Sequence, residues 1–258
     1  MMNYNYHTHT IRCNHASGTP EEYILRAIEN GVKRMGFSDH FPYVCRDGFE
    51  ARYRVPTAQV GDYFRELRAL REKYKDKIEI KIGFEIEYYP DLFGDMVKKA
   101  AEYGAEYLIL GQHFLSEEHP GGVYAMKAND SEEHLRIYTD EVVLAIKTGV
   151  ISYVAHPDVF FFTGDVNVYK AEARRIAEAS KEYNVPLEIN FLGIRGNRNY
   201  PNDDFWSVAG EVGCPVTFGF DSHDTMNAYD GASLSTAEAL VEKFGLNYIG
   251  EPRLIPLK

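Results

Sequence analysis

The sequence predicts one α/β domain with its parallel strands closed into a (β/α) barrel. Two observations carry that expectation: strand-like and helix-like segments alternate along the whole 258 residues, and every strand ends in a residue able to do chemistry. The strands, short and rich in β-branched or aromatic residues, fall at about 3–8, 33–38, 78–85, 107–111, 151–155, 186–190 and 215–220. Amphipathic helical stretches separate them. The first opens at Thr19-Pro20-Glu21-Glu22, with a capping threonine, proline at the first helical position and acids at the positive helix end. Others cover about 57–76, 92–103, 131–148, 169–183, 203–212 and 234–244, and Gly31, Gly104, Gly149 and Gly245 stand where helices stop. The strand ends carry His7 and His9, Asp39 and His40, Glu85, His113, His156, Asn190, then Asp221 and His223. A closed barrel brings these ends to one mouth, whereas an open doubly wound sheet spreads them along an edge.

A chain with 45% hydrophobic residues can bury a full core, and no linker, repeat or low-complexity tract divides residues 1–258. No leader-like start or membrane-length apolar run is present, and Cys13, Cys45 and Cys214 share no ligand or disulfide spacing. The expectation is a soluble, cytoplasmic protein with free thiols and no membrane partner. Lys and Arg total 28 against 39 Asp and Glu, a net charge of −11 that argues against nucleic acid as a partner. Bound divalent cations would reverse the field in one cleft and favour a small phosphorylated substrate there. The long connections 41–56 and 115–130 have the length of lids or binding loops.

His7-Thr8-His9 sets two imidazoles two residues apart on one face of a strand, able to grip one ion. Asp221-Ser222-His223 and Glu85-Ile86-Glu87 repeat that spacing. Of nine histidines, seven (His7, His9, His15, His40, His113, His156, His223) lie at or just after strand ends, while His119 and His134 fit none and are expected in ordinary loop or surface roles. Any one of the seven could be a core histidine with a simple hydrogen bond. Together, beside Glu85 and Asp221, they need either metal or costly protonation.

The run HTHT, then His15, SDH at 38–40, GFE at 83–85, GQH at 111–113, AHPD at 155–158, EIN at 188–190 and FDSH at 220–223 resembles the polymerase and histidinol phosphatase (PHP) family in order and over essentially the full chain. Ser38-Asp39-His40-Phe41-Pro42, and Glu188-Ile189-Asn190 followed by Gly193, Arg195 and Tyr200-Pro201, resemble its histidinol-phosphatase type. Phe220-Asp221-Ser222-His223 stands where the family commonly shows Ser-Asp-Ala-His, and Phe191-Leu192 where histidinol phosphatases often carry Thr-Ser; neither change removes a ligand. The resemblance implies a distorted (β/α)7, TIM-like barrel holding two or three divalent ions, with zinc, iron and manganese all suited to imidazole and carboxylate. It further implies one ion on His7, His9, Glu85 and Asp221, a second sharing Glu85 with His113 and His156, and a third on His15, His40 and His223. The implied activity is phosphomonoester hydrolysis on L-histidinol phosphate, with Glu85 and Asp221 at the centre of catalysis. Oligonucleotide hydrolysis is disfavoured by the acidic charge, and a non-catalytic metal-stabilised module by the filled ligand positions.

Arg195, in a glycine-flanked loop beyond the sixth strand, is expected to fork onto a phosphate as a third catalytic residue. Arg12, Arg46, Arg52, Arg54 and Arg198 read as solvated loop arginines. Asp39 and Asp158, next to ligands, read equally well as orienters of imidazoles and as caps or surface acids. Phe41, Tyr43, Phe114, Phe191 and Tyr200 are candidate walls for the organic half of a substrate.

Overall fold

A computed structural model describes residues 2–45 and 47–257, so the expectation for Arg46 lies outside the described residues. Four strands, β1 (Tyr4–Asn5), β2 (Arg34–His40), β3 (Glu79–Ile86) and β4 (Leu108–Leu110), pair in parallel and in chain order. A second parallel group follows: β5 (Leu187–Asn190), β6 (Pro215–Gly219) and β7 (Asn247–Tyr248). The strand expected at 151–155 is reduced to single-residue bridges. Val154 pairs with Leu110 on one side and Leu187 on the other, which joins the two groups. At the other seam, Thr8 bridges Ser222, with His9 N to Ser222 O at 3.0 Å and Ser222 N to His7 O at 3.2 Å.

The ring therefore closes, but unevenly. Between β6 and β1 it is zipped at the mouth, while at the start of β6 the extra strand β7 pairs with Pro215 and Val216. This is the distortion the barrel was expected to have. The interior is packed from both sides: in β2 every residue after Arg34 is buried, the pattern of a parallel strand covered by helices.

The helices are α1 (Pro20–Glu29), α2 (Val60–Tyr74), α3 (Phe93–Tyr103), α4 (Glu132–Lys147), α5 (Val166–Tyr183), α6 (Phe191–Arg195), α7 (Asp203–Val212) and α8 (Gly231–Phe244). Thr19 and Glu22 form the full capping box on α1. The one helix not anticipated is α6, a single turn whose N-cap Asn190 accepts from Gly193 N, so the strand end turns directly into helix. No helix of the described residues is long and apolar enough to cross a membrane, and the three cysteines are free and buried.

Candidate metal centre

The extended chain after β1 places His7 and His9 on one face, both fully buried. His7 is held from its outer nitrogen, and that of His9 has a carboxylate nearby. His7 Nδ1 lies 3.0 and 3.1 Å from the two oxygens of Glu188, and His9 Nδ1 lies 3.5 Å from Asp39 Oδ1, while Asp39 Oδ2 also accepts from Thr10 N and Thr10 Oγ1. A carboxylate can only accept, so the Glu188 contact holds a proton on His7 Nδ1; His7 Nε2 and His9 Nε2 both face inward, where an ion would take their lone pairs in place of the protons that Glu85 and Asp221 otherwise draw there.

Those two nitrogens meet Glu85 Oε2 and Asp221 Oδ1. His7 Nε2 is 3.6 Å from Glu85 Oε2 and 3.5 Å from Asp221 Oδ1; His9 Nε2 is 3.4 and 3.3 Å from the same atoms. All four atoms are buried and lack a hydrogen-bond partner among the described residues. Bonds of about 2.0–2.2 Å in a tetrahedral site require ligand–ligand separations of about 3.3–3.6 Å. Orphaned polar atoms at that spacing, drawn from imidazole and carboxylate, fit a divalent ion.

The other oxygen of Glu85 faces a second group, with His156 Nε2 at 3.1 Å and His113 Nε2 at 3.6 Å. His113 Nδ1 is held by Glu87 Oε1 at 3.1 Å, so Glu87, two residues along the strand, orients a ring beside the site. A third group is more exposed. His15 Nε2 and His223 Nε2 are 3.0 Å apart, and His40 joins them within ion-binding reach, although its Nδ1 also lies 3.1 Å from Glu85 Oε2. Here His15 Nδ1 rests on backbone, 2.7 Å from Cys13 O, while His223 Nδ1 lies between Asp221 O at 3.3 Å and Asp221 Oδ1 at 3.2 Å.

The charge balance divides in the same way. Burial works against protonated His7 and His9, but Asp221, Glu188, Asp39 and Glu85 outweigh it, holding His7 well above the ordinary imidazole range and His9 at about 9. Burial likewise opposes ionised Glu85 and Asp221, yet the surrounding imidazoles keep both carboxylates well below their usual range. His223 is pushed down to about 4 and His15 is lowered, in each case by burial and by the neighbouring His9 charge.

Two backbone features make room for this. A Cβ on Gly111 would fall on the Glu85 carboxylate, and one on Gly219 would fall on that of Glu188. His156 and Asp221 also hold positive φ values of 33° and 48°, conformations costly to non-glycine residues and common where side chains must be aimed.

Arg195 does not take the place expected of it. Its Nη1 donates to Phe220 O at 2.5 Å and lies 3.3 Å from Asp230 Oδ2, and its Nη2 donates to Asp221 O at 2.5 Å. Both Nη atoms are thus committed to the turn that carries Asp221, and the residue braces that strained backbone instead of forking onto a phosphate. Asp158 is buried and accepts from Asn202 N and Trp206 Nε1, tying its loop to the start of α7, whose N-cap is Asn202 itself. Arg12 pairs with Glu66, Arg52 and Arg198 are exposed, and Arg54 is buried. His119 sits on the surface against Asp47 and His134 against Asn129, both in ordinary roles.

The expected aromatic wall is also different. Phe41, Tyr43 and Phe191 are buried in the core, while a pocket of about 620 Å³ is lined by Tyr124, Met126, Phe161, Asn197, Arg198 and Asn199. Tyr200 links it to the centre, its ring 5.8 Å from that of His156 and its hydroxyl 3.0 Å from Arg198 Nη1. Glu188 and Asn190 escaped assignment to the site. Asn190 Nδ2 donates to Glu188 Oε1 and Asp221 Oδ2. The i, i+2 spacing that singled out His7 and His9 is present in this pair as well.

A closed parallel barrel with a carboxylate–imidazole centre at the C-terminal mouth defines a metallohydrolase-like architecture. The PHP domain model matches residues 5–191, and the chain belongs to that family. A protein named "Probable histidinol-phosphatase" from Deinococcus radiodurans is 26% identical over 222 residues, 84% of this chain and 85% of its own. A "Probable phosphatase" from Shewanella sp. strain MR-4 is 26% identical over 244 residues, 91% of this chain and 82% of its own. In fold, the chain is similar to the Lactococcus lactis histidinol phosphate phosphatase crystallised with zinc, L-histidinol and phosphate (TM-score 0.72, 21% identity, 95% of each chain).

Proposed function

We propose that this chain is a metal-dependent phosphomonoesterase that hydrolyses L-histidinol phosphate to L-histidinol and phosphate, a step of histidine biosynthesis in the cytoplasm. The observation that carries it is the set of four orphaned buried atoms on His7, His9, Glu85 and Asp221, whose imidazole–carboxylate separations match those around a tetrahedral ion. The relatives named as phosphatases, and the zinc, L-histidinol and phosphate held by the Lactococcus lactis protein, support the reaction and the substrate.

In this reading His7, His9, Glu85 and Asp221 hold one ion, Glu85 reaches with its second oxygen toward another held by His113 and His156, and His15, His40 and His223 hold a third. Bound divalent ions supply an acidified water and charge neutralisation at the phosphoryl oxygens. The chain supplies placement. Glu188 and Glu87 hold imidazole protons on Nδ1 of His7 and His113 so that Nε2 is turned to the ions, Asp39 stands beside His9, Asn190 aims Asp221, and Arg195 secures the turn beneath it. The pocket of Tyr124, Met126 and Phe161 offers an apolar wall to the organic half.

Phosphate release from L-histidinol phosphate, measured on metal-loaded protein and on the His7→Ala/His9→Ala variant, tests the reading. Turnover by the first and none by the second is expected. Equal turnover by both would remove the assignment.

A further inference from the structure

Arg54 lies in the long loop 41–56, yet it is only 3% exposed. Its Nη2 meets Glu87 Oε2 in a short ion pair and Glu118 Oε2 at 2.5 Å; Nε donates to Glu118 Oε2 at 2.6 Å and Nη1 to Phe41 O at 3.3 Å. The guanidinium also stands 4.6 Å over the ring of Tyr43. Glu118 belongs to the other long loop, 115–130, and its backbone N and O both bond to the Tyr43 hydroxyl. The two loops are therefore fastened to each other at one cation, and that cation is fastened to β3 through Glu87.

Such a cluster is an expensive way to join loops. Burying three charged groups costs more than apolar packing of the same volume returns, and one guanidinium against two carboxylates leaves a negative charge over. That charge has a use. Glu87 Oε1 faces His113 Nδ1 at 3.1 Å, so the surplus is spent on holding a proton there, with Nε2 turned toward Glu85.

We propose that Arg54 is a positioning residue for the metal centre: it fixes the Glu87 carboxylate that sets the His113 tautomer, and through Glu118 it makes the two mouth loops one rigid wall in place of a lid. The inference rests on the metal-site reading above. Arg54 touches no site atom itself; it acts through Glu87.

The test compares Arg54→Met, Arg54→Lys, Glu87→Gln and Glu118→Gln. Nitrogen-15 NMR of the metal-free chain, at a pH where His113 is neutral, reads which ring nitrogen carries the proton. Zinc titration reads ion affinity, and thermal melting reads stability. Wild type should show the Nδ1–H form. Arg54→Met and Glu87→Gln should each populate the Nε2–H form and weaken one bound zinc by about 10–100-fold, the usual cost of losing an orienting partner. Their double variant should be no worse than either alone. Glu118→Gln should lower the melting temperature and leave the tautomer unchanged. Arg54→Lys, which keeps the charge without the fork, should show the same tautomer change in smaller degree and carries the test if Arg54→Met does not fold. A folded Arg54 variant with the tautomer and zinc affinity of wild type would overturn the proposal, as would additive losses in the double variant. Failure of wild type to bind zinc would instead sink the phosphatase reading, while the tautomer still decides the role of Arg54.

Discussion

The inner and outer halves of the mouth use the same side chains in different physical states. Inside, His7 and His9 are fully buried, His7 held by Glu188 and His9 beside Asp39, and both face two carboxylates that draw protons onto them. Outside, His15 leans on the Cys13 carbonyl, His223 on Asp221 and His40 on Glu85, and burial beside the His9 charge lowers His15 and His223. The inner group sets two carboxylates against two imidazoles, so protons or an ion must supply the positive charge between them. The outer group is three lone pairs waiting near the rim.

The largest expected difference comes from Glu85, which serves the inner group with one oxygen and His113 and His156 with the other. Glu85→Gln should lower kcat/KM by more than about 10³-fold, on the scale of losing a main electrostatic stabiliser, and reduce bound metal at two positions by anomalous diffraction. His15→Ala should cost less, about 10–100-fold, removing only the outer ion while the inner ligands stay filled. Loss of the inner ion from His15→Ala would erase the distinction.

Packing sharpens the comparison. Gly219→Ala would drive a methyl into the Glu188 carboxylate and should cost about 1–3 kcal/mol in denaturant unfolding. It should weaken inner metal binding and leave the outer ion in place.

The smallest effect is in pH. For the metal-free chain, His9 at about 9 lies above an unfolded value of about 6.5, so its contribution is complete below that value and is lost as pH rises through 9. His223 at about 4 has the opposite sign: the unfolded chain takes up a proton below about 6.5 and the folded chain does not, so stability falls as pH drops from there toward 4. The two contributions together are greatest near pH 6.5. Filling the inner site should release protons at pH 7.5, and filling the outer site should release none, which calorimetry in buffers of different ionisation enthalpy would resolve. Proton release from the outer site alone would reverse the assignment.

Most of the barrel was legible because parallel strands buried on both faces read as short apolar runs, and seven strand positions could be placed from them. The segment at 151–155 was placed correctly in the ring but is too irregular to form a strand, and β7, two exposed residues, carries no hydrophobic signal. The histidines were legible as a set because their spacing obeys strand geometry. Their orienters were less so. Glu87 shares the strand spacing of Glu85, and Glu188 that of Asn190, but spacing does not say which histidine an acid will face, and only the fold brings Glu188 from β5 against His7. The arginines failed for a related reason: exposure of a loop cannot be read from its sequence, so Arg54 seemed free and Arg195 seemed available, whereas both are committed to buried partners.

On this reading the mouth becomes a phosphatase only when its orphaned atoms hold metal. Phosphate release from L-histidinol phosphate, followed while divalent metal is added stepwise to the stripped chain, tests it most directly. Activity should rise from near zero and level off at about two to three equivalents, with the first equivalent bound tightly at the inner group. Undiminished hydrolysis by the stripped chain, or a fully loaded chain that releases no phosphate, would contradict the account.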